Sequence, residues 1–438
     1  MRNDIYITLK ALSWILACLT FVSCSQSFAG QAEMESETKR IVSQYNAVFQ
    51  YPPKGTPNKT IADGPLLGNG DMGVCISAID KGQRFWLCKN DFWKLTDRTD
   101  SGGPRVFGGL DVKLPEHGGG WPAEQRLYEA VTLATYARGK GVGRVEMRSW
   151  VAATENILVV ELAASGEDAD VEVNLWVQEG NDADVARGTD SDSPWVTRKF
   201  AKDVKIATEA ACAMKPLGAD GPTFKIKAGE TVTIVAAMQS AFKSKTPLAD
   251  VRKRIDGMDA AALGELKKQH AAWWREFWAK SFVEIGDPIL EQRYYLSNYV
   301  MACASRDPDF PPGLFGTWNT TDTPGWMGDY HLNYNHMAPY YALYSSNHIV
   351  QADPYHAPIL DFRQRAQWYA KNVLGCRGVY YPVGIGPKGV ETTLNYPTDG
   401  YAKPEHVEKG GLFYHQRSNA AYCLVNVAMR WYHTYDKD

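Results

Sequence analysis

Residues 263–288 have the sequence LGELKKQHAAWWREFWAKSFVEIGDP, which marks a change in the hydrophobic period of the chain. From Leu263 to Phe277 the apolar residues recur at three- and four-residue steps, the spacing of one face of an amphipathic helix. The pattern stops just before Pro288, a residue suited to begin a new helix. The sequence therefore predicts a helical linker, which we place at residues 256–287.

The chain before this linker has the period-two alternation typical of β-strands. Apolar and polar residues alternate over 144–151, 171–177 and 224–234, and Gly, Asp and Asn separate the runs. The region is too long for a small immunoglobulin-like module. We therefore expect a large antiparallel β-sandwich over residues 40–255.

Helical spacing continues after the linker. Residues 289–303 are apolar on more than one face, and further apolar stripes run from Phe362 to Val373 and from Ala421 to Tyr432. Long loops rich in Gly, Pro, Asn and aromatic residues separate these stripes. The sequence predicts an all-α domain over residues 288–438, with loops that carry function.

The N-terminus has the pattern of a bacterial export signal. Arg2 and Lys10 precede an apolar run at 12–22, which is short for a membrane span. We expect a signal peptide at residues 1–29, or a lipoprotein signal that ends at Cys24. The mature protein is then periplasmic, lipid-anchored at the cell surface or secreted, with no membrane-spanning helix.

Composition narrows the partners of the protein. Lys and Arg number 47 against 50 Asp and Glu, so no polycationic face is available and nucleic acid is not an expected partner. The 14 Trp and 23 Tyr favour a carbohydrate partner, because the apolar face of a sugar ring stacks on aromatic rings. The sequence contains no CxxC, HExxH, phosphate-binding loop or GxSxG motif, and we expect neither a metal nor a cofactor. The oligomeric state is left open.

The richest candidate site lies at residues 313–341, GLFGTWNTTDTPGWMGDYHLNYNHMAPYY. Trp can stack on a sugar ring, and Asn, Asp and His can hydrogen-bond its hydroxyls. The predicted substrate-binding residues are Trp318, Asn319, Trp326, Asp329 and His331. Asn333 and Asn335 are two residues apart, so in extended backbone both amides would face one water or hydroxyl.

Four short motifs give the chain a resemblance to a known family. They are residues 65–73 (PLLGNGDMG), 89–93 (KNDFW), 316–337 with its GTWN, Trp and NYNHM elements, and 375–378 (GCRG). In this order they resemble motifs of glycoside hydrolase family 95, the inverting α-L-fucosidases and relatives. The front of the chain also resembles an uncharacterised bacterial N-terminal domain.

This resemblance implies a β-sandwich, a helical linker and an (α/α)6 barrel of the six-hairpin glycosidase superfamily. It also implies hydrolysis with inversion, in which an acid protonates the leaving oxygen while a water attacks the opposite face. Asn333 and Asn335 match the two Asn residues that position and activate this water, which makes them the predicted catalytic residues.

Two departures from the family pattern limit the prediction. Ala338 replaces an Asn, and residues 379–384 lack the His pair and the Asp expected after GCRG, so fucose need not be the sugar. Residues 288–438 number 151, about half of the roughly 300 that twelve helices need. We therefore expect an incomplete barrel, with the general acid and base beyond residue 438.

The sequence is compatible with several catalytic carboxylates and several functions. Five carboxylates after the start of the helical region are weaker candidates for the acid and base, namely Asp329, Glu391, Asp399, Glu405 and Glu408. The leading hypothesis is inverting hydrolysis of an oligo- or polysaccharide by the full-length parent. The alternatives are a non-catalytic carbohydrate-binding protein or inactive fragment, and a phosphorylase or lyase on the same architecture.

Overall fold

The structure is a computed structural model that describes residues 33–96, 102–190, 193–392 and 416–436. The predicted export signal at 1–29, with Cys24, lies outside the described residues. So do three of the candidate carboxylates, Asp399, Glu405 and Glu408.

The N-terminal region is rich in β-strands, and it begins with helix α1 at residues 33–42. Eighteen strands lie in the described part of residues 47–240: β1 (Ala47–Phe49), β2 (Leu66–Gly68), β3 (Met72–Ile79), β4 (Gly82–Lys89), β5 (Trp93–Lys94), β6 (Gly103–Pro104), β7 (Gly108–Lys113), β8 (Gly118–Gly119), β9 (Ala123–Arg126), β10 (Val131–Ala137), β11 (Arg144–Val151), β12 (Ile157–Ser165), β13 (Ala169–Val177), β14 (Asp184–Asp190), β15 (Ser193–Phe200), β16 (Thr208–Leu217), β17 (Thr223–Ile226) and β18 (Thr231–Ser240).

Sixteen of these strands form two large antiparallel sheets, and β5 pairs with β6 in a separate two-stranded sheet. The larger sheet has ten strands in the order β1-β9-β10-β11-β12-β18-β16-β15-β14, with β8 paired to β10. The smaller has six in the order β17-β13-β7-β4-β3-β2. In β13 the buried Val171, Val173 and Leu175 alternate with more exposed residues and join a core drawn from both sheets. The predicted large antiparallel sandwich is confirmed.

The outer face of the larger sheet is covered by two helices, α2 (Pro247–Asp256) and α3 (Ala260–Ala279). Val251 and Ile255 of α2 pack into one cluster with alanines of β16 and β18, such as Ala211. The last strand ends at Ser240, so the end of the region predicted as β is helical. Small side chains on the sheet let this helix approach closely, a tertiary effect that the strand pattern did not reveal.

The predicted linker helix is present as α3. The Asp259 side chain caps its first turn by accepting a hydrogen bond from the Ala262 backbone N–H at 2.8 Å. Helix α4 (Pro288–Ala304) follows, with Pro288 as its first residue as the sequence predicted. The Asp287 carboxylate caps α4 by accepting from two backbone N–H groups at 3.0 and 3.1 Å.

The remaining described chain is mostly helical. Its elements are α5 (Ala338–Ser345), α6 (Ile349–Ala352), α7 (His356–Asp361), α8 (Arg363–Asn372), α9 (Asn419–Thr434) and a small sheet of β19 (Tyr330–His331) and β20 (Gly384–Ile385). Both predicted apolar stripes coincide with helices, α8 and α9. Among the described residues, no helix combines the length and apolar character needed to cross a bilayer.

The first three motifs of the resemblance meet in space at Asn90. Its amide donates to the Gly70 carbonyl at 3.0 Å and to the Ala304 carbonyl at 2.7 Å. Its side-chain oxygen accepts from the Thr317 hydroxyl at 2.7 Å. One buried side chain therefore ties the sandwich to the end of α4 and to the loop that carries the candidate site.

Candidate functional site

The small sheet β19–β20 positions the centre of the predicted site. His331 pairs with Gly384 across this sheet, and an isolated bridge between Ile385 and Glu391 adds a third stretch of chain. The Leu332 backbone N–H continues the ladder by donating to a backbone carbonyl of the facing chain at 2.7 Å. Residues near 331, 384 and 391 are thereby held side by side, although they are far apart in sequence.

Asp329 supplies the buried carboxyl group of the site. Its Oδ1 accepts a hydrogen bond from His331 Nδ1 at 2.5 Å, and its Oδ2 accepts from the Thr392 hydroxyl at 2.5 Å. The carboxylate has no exposed surface. On the other side the His331 ring stacks on Trp326, with the ring centroids 5.7 Å apart and the planes at 21°. Asp329, His331 and Trp326 thus form one connected unit.

Trp326 is held in an unusual backbone conformation. Its φ of +46° and the φ of +58° at Met327 lie in the left-handed region, which non-glycine residues adopt at a cost of about 1 kcal/mol or more. Trp326 is 67 % exposed. An exposed Trp on a strained turn is available for stacking, and the predicted contact of Trp326 with a sugar stays a prediction.

A cavity of about 340 Å³ lies beside this unit. Three predicted residues line it: Trp318, Asp329 and Asn335. The sandwich contributes Thr60, Ile61 and Ala62, α4 contributes Val300 and Met301, and the loop before the site contributes Leu314 and Phe315. The cavity therefore lies where the β region meets the helical region, a common position for ligand sites.

The two candidate catalytic amides are arranged differently from the prediction. Residues 332–337 form turns, so the extended backbone that would align Asn333 with Asn335 is absent from this segment. Asn335 is exposed and lines the cavity, whereas Asn333 is half-buried. The Asn333 Oδ1 is buried and accepts no hydrogen bond from the described part of the chain. The turns arise because the chain leaves β19 and enters α5 within a few residues.

Two other predicted binding residues take part in packing. Trp318 is 5 % exposed, and its indole N–H donates to the Leu67 carbonyl at 2.9 Å. Asn319 is buried beside it, and its backbone carbonyl accepts from the Cys88 thiol at 3.0 Å. The structure places Trp318 in the cavity wall and Asn319 behind it. Contacts with strands of the sandwich, distant in sequence, bury both residues.

His336 is a cavity residue to which sequence reasoning gave no role. Its ring stacks on Tyr355, and burial lowers the pKa of His336 to about 4. The imidazole is therefore neutral at pH 7. Tyr340, on the first turn of α5, lines the cavity next to it. The sequence feature that could have singled out His336 is its position directly after Asn335, the second of the two Asn residues.

Glu391 is a buried carboxyl close to the site. It accepts hydrogen bonds from the Tyr369 hydroxyl and from Arg365, whose Nε is 3.4 Å away. Burial raises the pKa of the Glu391 carboxyl to about 7, against the opposing effects of the Tyr369 hydrogen bond and the Arg365 charge. The next residue, Thr392, donates a hydrogen bond from its hydroxyl to Asp329. Glu391 is therefore adjacent in sequence to a residue that contacts the unit of Asp329, His331 and Trp326.

The sequence of this region identifies its relatives. Residues 248–401 match the model of the glycosyl hydrolase family 95 catalytic domain. This part of the chain is similar to glycosyl hydrolase family 95. A probable alpha-fucosidase A of Aspergillus niger is 38 % identical to it over 56 residues, which are 13 % of this chain and 7 % of that protein.

The fold agrees with that relationship. A putative kojibiose phosphorylase from the human microbiome superposes on this chain with a TM-score of 0.60 and 13 % sequence identity. The match covers 81 % of this chain and 53 % of the other, so the chain spans about half the length of that structure. At this identity the likeness shows the fold alone: an antiparallel sheet-rich region followed by a helical region.

Proposed function

We propose that the full-length protein containing this chain is a glycoside hydrolase that cleaves a glycosidic bond of an oligo- or polysaccharide with inversion. The carrying observation is that Asn335 and the buried Asp329 line one cavity within the segment related to family 95. Asn335 is the exposed member of the predicted Asn pair, and we assign it the contact with the attacking water or with a sugar hydroxyl.

The connected unit of Asp329, His331 and Trp326 supports this proposal by its chemistry. The carboxylate fixes the orientation of the imidazole, and the imidazole in turn stacks on the exposed indole. A sugar that covers Trp326 would place its hydroxyls near these polar groups. This unit therefore serves to orient the substrate.

A carbohydrate-binding protein without hydrolytic activity is the second candidate. Asp329 already accepts two hydrogen bonds, and Glu391 is engaged by Tyr369 and Arg365. Both carboxyls are buried, and each is hydrogen-bonded to other described residues. Hydrolysis then requires acids that lie outside them, whereas binding does not.

We also propose that the protein is exported. The charged and apolar segments within residues 1–29 support export, and the Cys24 position leaves a lipid anchor as one form of it. Labelling with a palmitate analogue, with Cys24→Ala as the control, distinguishes the anchored form from the soluble one. Retention of an unprocessed chain in the cytoplasm would contradict export.

The test of hydrolysis compares two matched Asn variants of the full-length protein. Asn335→Ala changes the cavity, whereas Asn372→Ala changes an exposed amide at the end of α8. Both are assayed on a panel of aryl glycosides and oligosaccharides, and NMR of the first product identifies its anomer. We expect Asn335→Ala to lower kcat/KM by about 100-fold or more and Asn372→Ala to leave it unchanged.

The outcomes separate the two candidates. Release of an inverted sugar that depends on Asn335 supports the hydrolase. Sugar binding that depends on Asn335 without release of any product supports the binding protein. Turnover that is equal in both variants would remove Asn335 from the site and overturn the proposal.

A further inference from the structure

One wall of the cavity beside Asn335 comes from the β-rich region. The cavity loop, which we define as residues 54–63, lies between β1 and β2 and contributes Thr60, Ile61 and Ala62 to the lining. Apart from Leu66, the other lining residues lie between positions 300 and 340. The sandwich therefore takes part directly in shaping the cavity to which we assign hydrolysis.

The cavity loop is closed on itself by Asp63. Its Oδ2 accepts hydrogen bonds from the backbone N–H groups of Lys54 and Gly55 at 3.0 and 2.7 Å, and its Oδ1 accepts from the Thr56 hydroxyl at 2.6 Å. One carboxylate at the end of the loop thus holds three groups at its beginning. A loop fixed in this way loses little conformational entropy when a ligand contacts it.

The cavity loop is also bonded to the segment that carries the candidate site. The Asn58 backbone N–H donates to the Thr320 hydroxyl at 2.9 Å, and this hydroxyl donates to the Asn58 carbonyl at 3.3 Å. The Gly325 backbone N–H donates to the Lys59 carbonyl at 2.6 Å. Asn58 and Lys59 come directly before Thr60, so these bonds fix the lining residues of the loop against the site.

Ile61 is an exposed apolar residue in this fixed loop. It is 68 % exposed, although it lines the cavity. Removing apolar surface from water is favourable, so a ligand that covers Ile61 binds more tightly than one that leaves it exposed. Ile61 is therefore placed to distinguish between ligands by what they set against it.

The cavity walls favour an uncharged and apolar group. Six large apolar residues that retain exposed surface line the cavity: Ile61, Leu66, Val300, Met301, Leu314 and Phe315. None of the described lining residues is Lys or Arg, and the acid among them, Asp329, is hydrogen-bonded through both of its oxygens. A charged or hydroxyl-rich group against these apolar walls would lose its water without gaining a partner.

We propose that Ile61 is a specificity-determining residue and that the substrate carries an O-acetyl group, which occupies the apolar part of this cavity. The inference rests on the proposed function, because it concerns the same cavity. An acetyl ester is uncharged and ends in a methyl group that can pack on Ile61. It also extends farther than a methyl group attached directly to the sugar ring, so it can contact several of the apolar side chains at once.

The experiment uses the full-length protein and oligosaccharides of acetylated xylan, glucomannan and pectin, each before and after mild alkaline removal of the acetyl groups. Calorimetric titration gives the ratio of affinities for the acetylated and deacetylated forms, and the same ratio is taken for kcat/KM where sugar is released. Ile61→Asp and Ile61→Ser remove the apolar side chain. Val142→Asp is the matched control, because Val142 is a 70 % exposed apolar residue between β10 and β11.

For at least one of the three oligosaccharides, the parent and Val142→Asp should bind the acetylated form at least about tenfold more tightly than the deacetylated form. Ile61→Asp and Ile61→Ser should bring the two affinities to within about threefold of each other. Asn335→Ala should lower kcat/KM for both forms alike and keep the preference of the parent. An acetyl preference that depends on Ile61 without any sugar release would therefore refute the proposed function and support this inference.

Two results would overturn the inference. One is equal or undetectable affinity of the parent for both forms of all three oligosaccharides. The other is a preference for the acetylated form that is unchanged in Ile61→Ser. Thermal melting shows whether the variants fold, and if Ile61→Asp does not, Ile61→Ser decides the outcome alone.

Discussion

His331 donates a hydrogen bond from Nδ1 to Oδ1 of Asp329 across 2.5 Å, and the accepting carboxylate is fully buried. An imidazole that donates from Nδ1 is fixed in one orientation by its acceptor. The other carboxylate oxygen accepts from Thr392, which lies on the chain that follows β20. Asp329 thus connects β19, which carries His331, to the segment after β20, which carries Thr392.

Replacing Asp329 by Asn is expected to release this coupling. With the amide oxygen on His331, the amide N–H₂ faces Thr392, so the Thr392 hydroxyl must turn from donor to acceptor and His331 donates to a neutral amide, at a cost of about 1–3 kcal/mol of unfolding free energy. Sugar binding should weaken together with stability, because Trp326 stacks on His331. Urea unfolding and ligand titration measure the two effects. Asp220→Asn, an exposed control, should change neither; unchanged stability in Asp329→Asn would contradict the coupling.

The two tryptophans of the site are expected to respond differently to substitution. Trp318→Phe removes the N–H donor to the Leu67 carbonyl and should lower the unfolding free energy by about 1–3 kcal/mol. Trp326→Phe alters an exposed ring, so its unfolding free energy should stay within about 0.5 kcal/mol of that of the parent. The same substitution should weaken sugar binding. Chemical denaturation and titration with the substrate measure both. The reverse order of stabilities would show that Trp318 is not a packing residue.

Gly70 is expected to tolerate no side chain. It combines a φ of +85° with a Cβ position 2.4 Å from Arg306, so Gly70→Ala should cost about 2 kcal/mol or more. Gly264 lies inside α3 with open space around its Cβ position. Gly264→Ala should therefore stabilise the protein by roughly 0.5–1 kcal/mol. Thermal unfolding of both variants is the measurement, and an equal effect would contradict the close approach at Gly70.

Glu391 should give stability a specific dependence on pH. Its pKa of about 7 in the folded protein exceeds the ordinary value of 4.5, so the folded state holds this proton more tightly. The resulting stabilisation is fully present below pH 4.5 and is lost as the pH rises through 7, a change on the order of 3 kcal/mol.

Glu391→Gln removes this titration. The parent loses stability as the pH rises from 5 to 8, whereas the variant does not. The unfolding free energy of the variant minus that of the parent should therefore increase over this range, by at most about 3 kcal/mol. Urea unfolding at each pH measures this difference. Glu265→Gln, an exposed substitution on α3, should differ from the parent by a constant amount over the same range. A constant difference for Glu391→Gln as well would place its pKa near the ordinary value.

Local sequence patterns were sufficient to predict the kinds of element and their order. Alternation in segments such as Val171 to Leu175 predicted strands, and the spacing from Leu263 to Phe277 predicted α3, because these local periods match the geometry of each element. Pro288 as the first residue of α4 followed from its fixed φ and missing N–H. The motifs also located the loop that carries the site.

Which residues of that loop face the cavity depends on packing between the β region and the helical region. Trp318 and Asn319 are buried by strands of the sandwich, and the turns after β19 separate Asn333 from Asn335. The stacking of the Arg306 guanidinium on Trp273 became evident only once α3 and the loop after α4 were placed. Such outcomes depend on contacts between residues far apart in sequence, which a local hydrophobic period does not encode, because burial and charge pairing are properties of the assembled fold.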